Sequence, residues 1–451
     1  MWDVREAAHA IGAKLIRPRA PYAAGGAACD SRALRRGELF VALAGRHHDG
    51  HDFLEEAFAR GAVGALVNRD PGQGYNLLLV SEVAGALWEL AAWRRAQLVN
   101  PVVGVTGSFG KTTTKELLGA ALSVRHQVYR ARASYNTEVG VPLEVLSIPD
   151  EAEVAVLELG TSAPGEIRRL ASLVQPWSGI ITGVAEAHLE GLRDREGVAQ
   201  AKWELAEALP EEGILALCWD FPELRARVER CQGLCLRFGR SPAADFFPRG
   251  VVADDPAGVR FTAVYPQGEA PVRLQLLGEH VAALACGALA LAWAMGIPAA
   301  PAVRALEAVT PLPHRLELHQ APFGWLLDDA YNANPLSLQA ALATLTQLRL
   351  PVQRRMALVG DMLELGPDEE RYHREMVDQA AACALDALFC YGPRSARAFA
   401  GWRGRGAAQE EDLNRLLAQV RAEVDAEPTL LLVKGSRGMA LERAVAALVE
   451  R

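Results

Sequence analysis

Short unbroken apolar runs alternate along this chain with stretches whose apolar positions recur every three or four residues, the spacings of buried strands and of amphipathic helices. Near the start, Glu38 to Leu43 reads as a strand, a helix runs from Asp52 to a cap at Gly61, and Ala62 to Val67 reads as a second strand. An alanine-rich helical stretch, Val83 to Leu98, leads to the turn signal Asn100-Pro101. Further runs follow at Val102 to Val105, Val154 to Leu157 and Gly179 to Thr182, with helical patterns between them. Unbroken rather than alternating runs mark strands covered on both faces, so a parallel sheet with helices on each side is predicted. Residues 243–275 differ: short alternating pieces with Pro and Gly turns point to an antiparallel extension. Beyond Thr310-Pro311-Leu312-Pro313 the strand and helix alternation starts afresh, with strands at Trp325 to Leu327, Met356 to Val359, Ala387 to Phe389 and Leu430 to Val433. Their tips are Asp328-Asp329, Gly360-Asp361, Tyr391-Gly392 and Lys434 to Arg437. In open parallel sheets ligands sit beyond such carboxyl ends, so these tips are predicted to edge a site.

The length, 451 residues, fits three domains at about 150 residues each. The predicted fold class is α/β: a small N-terminal α/β domain over 1–98, a central P-loop-type parallel-sheet domain over 99–312 and a C-terminal Rossmann-like domain over 313–451. Half the residues are hydrophobic, ample for buried cores, and a net charge of −8 spread over mixed signs argues against a nucleic-acid partner. Seven scattered cysteines lack a metal-ligand cadence, which points to a reduced, cytoplasmic setting. The uncharged run Val281 to Val303 is broken by Gly296-Ile297-Pro298, so it reads as a buried helix plus a loop and not as a membrane span.

Candidate chemistry begins at Val102-Val103-Gly104-Val105-Thr106-Gly107-Ser108-Phe109-Gly110-Lys111-Thr112-Thr113, a strand entering a glycine-rich turn and then a helix. Backbone N–H groups of such a turn converge on phosphate oxygens, Lys111 reaches the β and γ phosphates, and Thr112 offers a hydroxyl to Mg²⁺. Val105 stands where the usual pattern has its first glycine, which makes this a variant loop. Glu158, at the end of its strand, is placed for a metal role. His188 lies beyond a neighbouring strand, as a metal ligand or a packing residue. Lys202, read alone, is a lysine whose stem covers apolar surface. Asp328 to Pro335 gathers acids and amides before a helix that Pro335 can start, and Arg315 lies at the domain junction.

Together these residues resemble the Mur ligase family over nearly the whole chain. The likeness rests first on Asp30-Ser31-Arg32, Gly37 to Leu43 and Asp49-Gly50-His51-Asp52-Phe53. In the middle it rests on Thr106 to Thr113, Asn136 to Leu143, Glu158-Leu159-Gly160 and Ala187 to Glu190. In the last part it rests on Asp329 to Pro335, Gly360 to Gly366 and Lys434 to Arg437. The resemblance implies an ATP-dependent amide ligase joining D-alanyl-D-alanine to UDP-N-acetylmuramoyl-tripeptide through an acyl phosphate, in peptidoglycan precursor synthesis. It implies that Thr106, Gly107, Ser108, Phe109, Gly110, Lys111, Thr112 and Thr113 hold ATP, with Arg315, Asp329, Asn332 and Asn334 closing from the last domain. Ser31, Arg32, Asp49 and His51 would face the UDP-sugar, and Asn136 and Thr137 would position phosphate and substrate. Lys111, Glu158, His188 and Lys202 would be the catalytic set. Thr112, Glu158 and His188 would hold Mg²⁺ together with Lys202, which the family carbamylates. A monomer is expected.

Four departures from the family's pattern bear on the nucleotide: Phe109 replaces a small or polar residue, Gly183 an asparagine and His314 a glycine, and two asparagines are missing after His280. Two other readings stay open, another amide ligase of the Mur, folylpolyglutamate or cell-wall amidating type and a degenerate relative that binds nucleotide without turnover. The segment Asp30 to Phe53 argues against the first, and the joint presence of Lys111, Glu158, His188 and Lys202 against the second.

Overall fold

The computed structural model describes residues 1–45, 48–72, 74–132 and 135–449. Its first unit is a five-stranded sheet in the order Lys14–Ile16, Leu77–Leu79, Gly64–Val67, Leu39–Val41, Ala27–Ala28, parallel except for the outermost strand Lys14–Ile16. It packs on the next unit through Arg132, whose guanidinium bonds Glu38 at 2.8 Å and Glu144 at 3.1 Å.

The middle unit is a six-stranded, all-parallel sheet in the order Leu234–Phe238, Ile214–Cys218, Pro176–Ile181, Val102–Thr106, Val154–Glu158, Val128–Arg130. Val102–Thr106 is fully buried, which explains its unbroken apolar run. It also lies where the strand order reverses, since the chain crosses over it between Val154–Glu158 and Pro176–Ile181, and the crevice beyond its end is therefore open. The helix Arg195–Glu207 lies close on this sheet because Gly104 and Gly179 have no side chains: a Cβ at either would stand 2.8–3.0 Å from Leu205. With Leu205 seated there, Lys202, one turn earlier on the same face, is carried toward the strands' carboxyl ends.

Residues 247–274 form the three-stranded antiparallel sheet that the turn-rich pattern predicts. The apolar run after it forms the helix His280–Ala294, and its far end, read as loop, forms a second helix, Ala299–Glu307. Among the described residues no helix is long and apolar enough to cross a membrane.

The last unit is a six-stranded sheet in the order Glu317–Ala321, Gly324–Asp329, Thr429–Lys434, Arg354–Gly360, Ala387–Tyr391, Arg405–Gln409, parallel except for the first strand. The helix Pro335–Gln347 starts at Pro335, with Asn334 as its N-cap in a capping box with Ser337.

Candidate active site

The phosphate loop is braced by the neighbouring strand. Gly107 has φ near +148°, and a Cβ there would sit 1.9 Å from Thr182 Oγ1, so glycine is required. Thr182 Oγ1 donates to the carbonyl of Phe109 at 2.5 Å, and the Ser108 N–H donates to the carbonyl of Gly183 at 3.1 Å. Lys111 folds back over the loop and donates to the carbonyl of Gly107 at 2.8 Å. Two of the family departures turn out to be one feature. A Cβ on Gly183 would stand 2.6 Å from the rings of both Phe109 and Phe221, so the Phe109 ring fills the space of the side chain missing at 183.

Behind the loop lies a group of buried charges. Glu158 is 1 % exposed, with Asn136 Nδ2 at 3.5 Å from Oε2 and Lys115 Nζ at 3.5 Å from Oε1. Its Oε1 receives no hydrogen bond and has only the longer ion pair with Lys115, which leaves it room to meet a metal ion. Burial pulls the pKa of Lys111 down, Glu158 opposes the shift and Arg315 adds to it. Burial likewise holds Lys202 well below an ordinary lysine, with Lys111 adding to the effect, and no carboxylate lies within 4.0 Å of its amine among the described residues. His188 is held in the left-handed region, φ near +57°, with its Nδ1 donating to Glu364 of the last unit. Its pKa is lowered chiefly by burial, then by Lys202.

The last unit closes over this loop. Arg315 donates to Thr112 Oγ1 at 2.7 Å while its guanidinium lies over the Tyr331 ring at 4.1 Å, and Arg437 approaches the same ring at 5.4 Å. Asn334 Nδ2 donates to the carbonyl of Ser108 at 3.2 Å. Lys434 bonds Asp329 Oδ2 at 2.5 Å and the carbonyl of Asn332 at 2.9 Å. Burial raises the pKa of Asp329, and Lys434 opposes that shift. His280 faces the same space, its pKa pushed down to about 4 by burial, with Lys434 and Arg240 adding to it. Between the two units lies a cavity of about 980 Å³.

Ser108 to Thr113, Asn136, Thr137, Glu158, His188, Arg315, Asp329, Asn332 and Asn334 all line this cavity. Four groups of sequence-predicted residues stand apart. Thr106 is wholly buried and donates to the carbonyl of Leu159 at 2.7 Å, while Gly107 and Lys202 stand behind the lining. Ser31, Arg32, Asp49 and His51 lie on the first unit, away from the cavity. There Ser31 donates to Glu56 at 2.7 Å, and Arg32 is paired with Asp30 at 2.8 Å. His51 binds Asp49 through Nδ1 at 2.6 Å and accepts the Asn68 N–H on Nε2 at 3.2 Å. Of the four strand tips expected to edge a site, only those at Asp329 and at Lys434 and Arg437 line the cavity. Asp361 turns inward instead and accepts the N–H of Ser395 at 2.7 Å, capping the helix Pro393–Phe399 that follows the neighbouring strand.

Sequence reasoning passed over Lys115 and Glu364. Lys115 lies one turn after Lys111 on a face it shares with buried Leu118 and Leu122, and a lysine in an apolar stripe beside a phosphate loop is the signal that marked it.

A variant phosphate loop on a parallel sheet, with buried acid and amines behind it and a second Rossmann-like unit bonded across it, defines a nucleotide site assembled by domain closure. The models of the Mur ligase middle domain, the Mur ligase glutamate ligase domain and the Mur ligase family catalytic domain match residues 105–292, 314–437 and 26–92. The chain belongs to the Mur ligase family. It is 35% identical over 438 residues to the UDP-N-acetylmuramoyl-tripeptide--D-alanyl-D-alanine ligase of Bacillus subtilis, covering 94% of this chain and 93% of that one. With the enzyme of the same name from Escherichia coli it shares 36% identity over 424 residues, 93% of each chain. Among solved structures it superposes on MurF from Acinetobacter baumannii with a TM-score of 0.85 at 30% identity, over 100% of this chain and 99% of that one. On the MurF ligase from Thermotoga maritima in complex with ADP the TM-score is 0.76 at 27% identity, over 93% and 96%.

Proposed function

We propose that this chain is the ATP-dependent ligase that joins D-alanyl-D-alanine to UDP-N-acetylmuramoyl-tripeptide in peptidoglycan precursor synthesis, working as a cytoplasmic monomer. What carries the reading is the pair of contacts from Arg315 to Thr112 and from Asn334 to Ser108, which lay groups of the last unit on the phosphate loop. In the proposed division, 1–98 receives the UDP-sugar, 99–312 holds ATP and 313–451 closes the site.

A tripeptide carboxylate oxygen attacks the γ-phosphorus, the bond to ADP breaks, and the amine of D-alanyl-D-alanine displaces phosphate from the acyl phosphate with loss of a proton. The N–H groups of Ser108 to Thr113 cradle the phosphates while Lys111 swings from the Gly107 carbonyl to meet the charge spreading over the γ-phosphoryl oxygens. Arg315 leaves Thr112 for phosphate, Asn136 and Thr137 position the acceptor, and Asp329, Asn332 and Asn334 shut out water that would hydrolyse the acyl phosphate. On the first unit, Ser31 and Arg32 meet the UDP-sugar, and Asp49 and His51 fix the loop that faces it.

The residues present fit Mg²⁺: Thr112 supplies a hydroxyl, Glu158 an oxygen without a hydrogen bond and His188 an imidazole whose pKa burial lowers. When bound, Mg²⁺ neutralises phosphate charge. Lys202 is the candidate for a carbamate. Burial lowers the pKa of its amine and so favours the neutral form, whose lone pair adds to CO₂ to give an N–C bond and release a proton, so a neutral amine becomes an anion beside the metal ligands.

Phosphate release measured with purified protein tests the function. The expected result is release only when ATP, UDP-N-acetylmuramoyl-tripeptide and D-alanyl-D-alanine are all present, with kcat lowered by about 10²–10³ in Lys111→Ala. Release at full rate from ATP alone, or an unaffected Lys111→Ala, would overturn it.

A further inference from the structure

On the face of the last sheet turned away from the nucleotide, three side chains of metal-ligating type meet, with His314 beside them. In the antiparallel pair Glu317–Ala321 and Gly324–Asp329, Glu317 stands directly opposite Asp328. His319 is two residues on from Glu317 and so shares its face, while Asp329, the next residue after Asp328, points the other way into the cavity. Two carboxylates facing each other across a strand pair repel, and Asp328 is fully buried, so the arrangement calls for a cation between them. Among the described residues, no Lys or Arg comes within 4.0 Å of either carboxylate. An imidazole does: His319 Nε2 stands 3.4 Å from Glu317 and 3.6 Å from Asp328, buried and without a hydrogen bond.

We propose that Glu317, His319 and Asp328 form a binding site for one zinc-class divalent ion at the joint between the middle and last units, with His314 as a positioning residue. A tetrahedral ion with bonds of about 2.0–2.1 Å holds its ligand atoms about 3.3–3.4 Å apart. The observed spacings of 3.4 and 3.6 Å are close to that, and the three donor atoms all lie within 4.8 Å of one another. An imidazole with two carboxylates at tetrahedral spacing suits zinc or cobalt, whereas Mg²⁺ and Ca²⁺ are held mainly by oxygens in shells of six or more ligands. The fourth position is left for water. His314 donates from Nδ1 to Asp328 Oδ2 at 2.7 Å, too close for a neighbouring ligand and right for a group that orients one. It does so from a left-handed backbone, φ near +59°, which accounts for the glycine usual at this place and for the bond that holds a histidine there. The next residue is Arg315, so an ion here would fix the linker that carries this arginine to the phosphate loop.

Cobalt titration of the full chain tests the site. The protein is stripped with chelator, kept in excess Mg²⁺ without substrates and followed by visible absorption. One equivalent of Co²⁺ is expected to give the intense bands of a four-coordinate ion, without thiolate charge transfer, and to be displaced by Zn²⁺. His314→Ala is expected to weaken binding about tenfold, and His319→Gln and Glu317→Gln by about 100-fold or more, with unfolding temperatures in chelator close to wild type. Either of the last two variants suffices if the other does not fold. Absence of saturable binding, a thiolate band, or undiminished binding in the folded variants would overturn the proposal. Because no nucleotide or peptide is used, the result is independent of the ligase reading.

Discussion

Lys202 in the middle unit and Lys434 in the last are almost equally buried, 1 % and 2 % exposed, yet only Lys434 has a counter-ion, Asp329 at 2.5 Å. An ammonium withdrawn from water costs several kcal/mol unless it is paired or loses its proton. Lys434 takes the first course and holds the strand end that carries Asn332 and Arg437. For Lys202, which has no carboxylate within 4.0 Å of its amine among the described residues, burial lowers the pKa well below that of an ordinary lysine and so favours the second. A salt bridge builds structure, whereas an unpaired neutral amine keeps its lone pair for chemistry. The two closing units thus differ: one holds its buried lysine in an ion pair, and the other holds a buried lysine whose pKa is lowered.

Exchanging each lysine for a near-isosteric apolar residue breaks this contrast most severely. Lys434→Met leaves Asp329 buried and unpaired and is expected to destabilise the protein by about 3–5 kcal/mol. Lys202→Met in CO₂-free buffer is expected to be neutral or to stabilise by about 1–3 kcal/mol, because it removes a buried polar group without a counter-ion. Both follow from urea unfolding. The same data give a pH dependence. Because the folded pKa of Lys202 lies below the unfolded value near 10.5, unfolding takes up a proton at intermediate pH, so stability rises with pH toward that value. Lys202→Met flattens this rise, and the part that remains reports Lys111, which is lowered in the same way.

A smaller effect sharpens the reading of the loop. Gly183→Asn puts a side chain into the Phe109 and Phe221 rings and is expected to cost about 1–3 kcal/mol. Adding Phe109→Ser is expected to recover much of that, and a double-mutant cycle in thermal unfolding gives the coupling. Simple additivity would mean that the two positions are independent. Smallest is Asn334→Ser, which keeps a capping oxygen but cannot reach Ser108. One interdomain hydrogen bond is worth about 1 kcal/mol, so KM for ATP is expected to rise about fivefold with little change in stability.

Much of this arrangement was legible along the chain because local pattern encodes it. The loop with Lys111 and Thr112, the acid ending its strand at Glu158, and Asn334-Pro335 opening a helix are all short-range signals. Contacts between distant positions were not legible. Arg315 meets Thr112 across 203 residues and His188 meets Glu364 across 176, and no periodicity carries such information. The strands Glu317–Ala321 and Arg405–Gln409 went unread because both lie at sheet edges, where few of their residues are buried and the apolar signal fades. Asp361 shows the reverse error, since an acid at a strand tip looks the same whether it faces a ligand or caps a neighbouring helix.

The central claim is the proposal that the buried amine of Lys202, its pKa lowered by burial, reacts with CO₂. Carbon-13 NMR of the purified protein equilibrated with ¹³C-bicarbonate tests it directly. One carbamate resonance is expected in the wild type, absent from Lys202→Met and retained in folded Lys434→Met. A wild type without that resonance, or a Lys202→Met that keeps it, would contradict the claim.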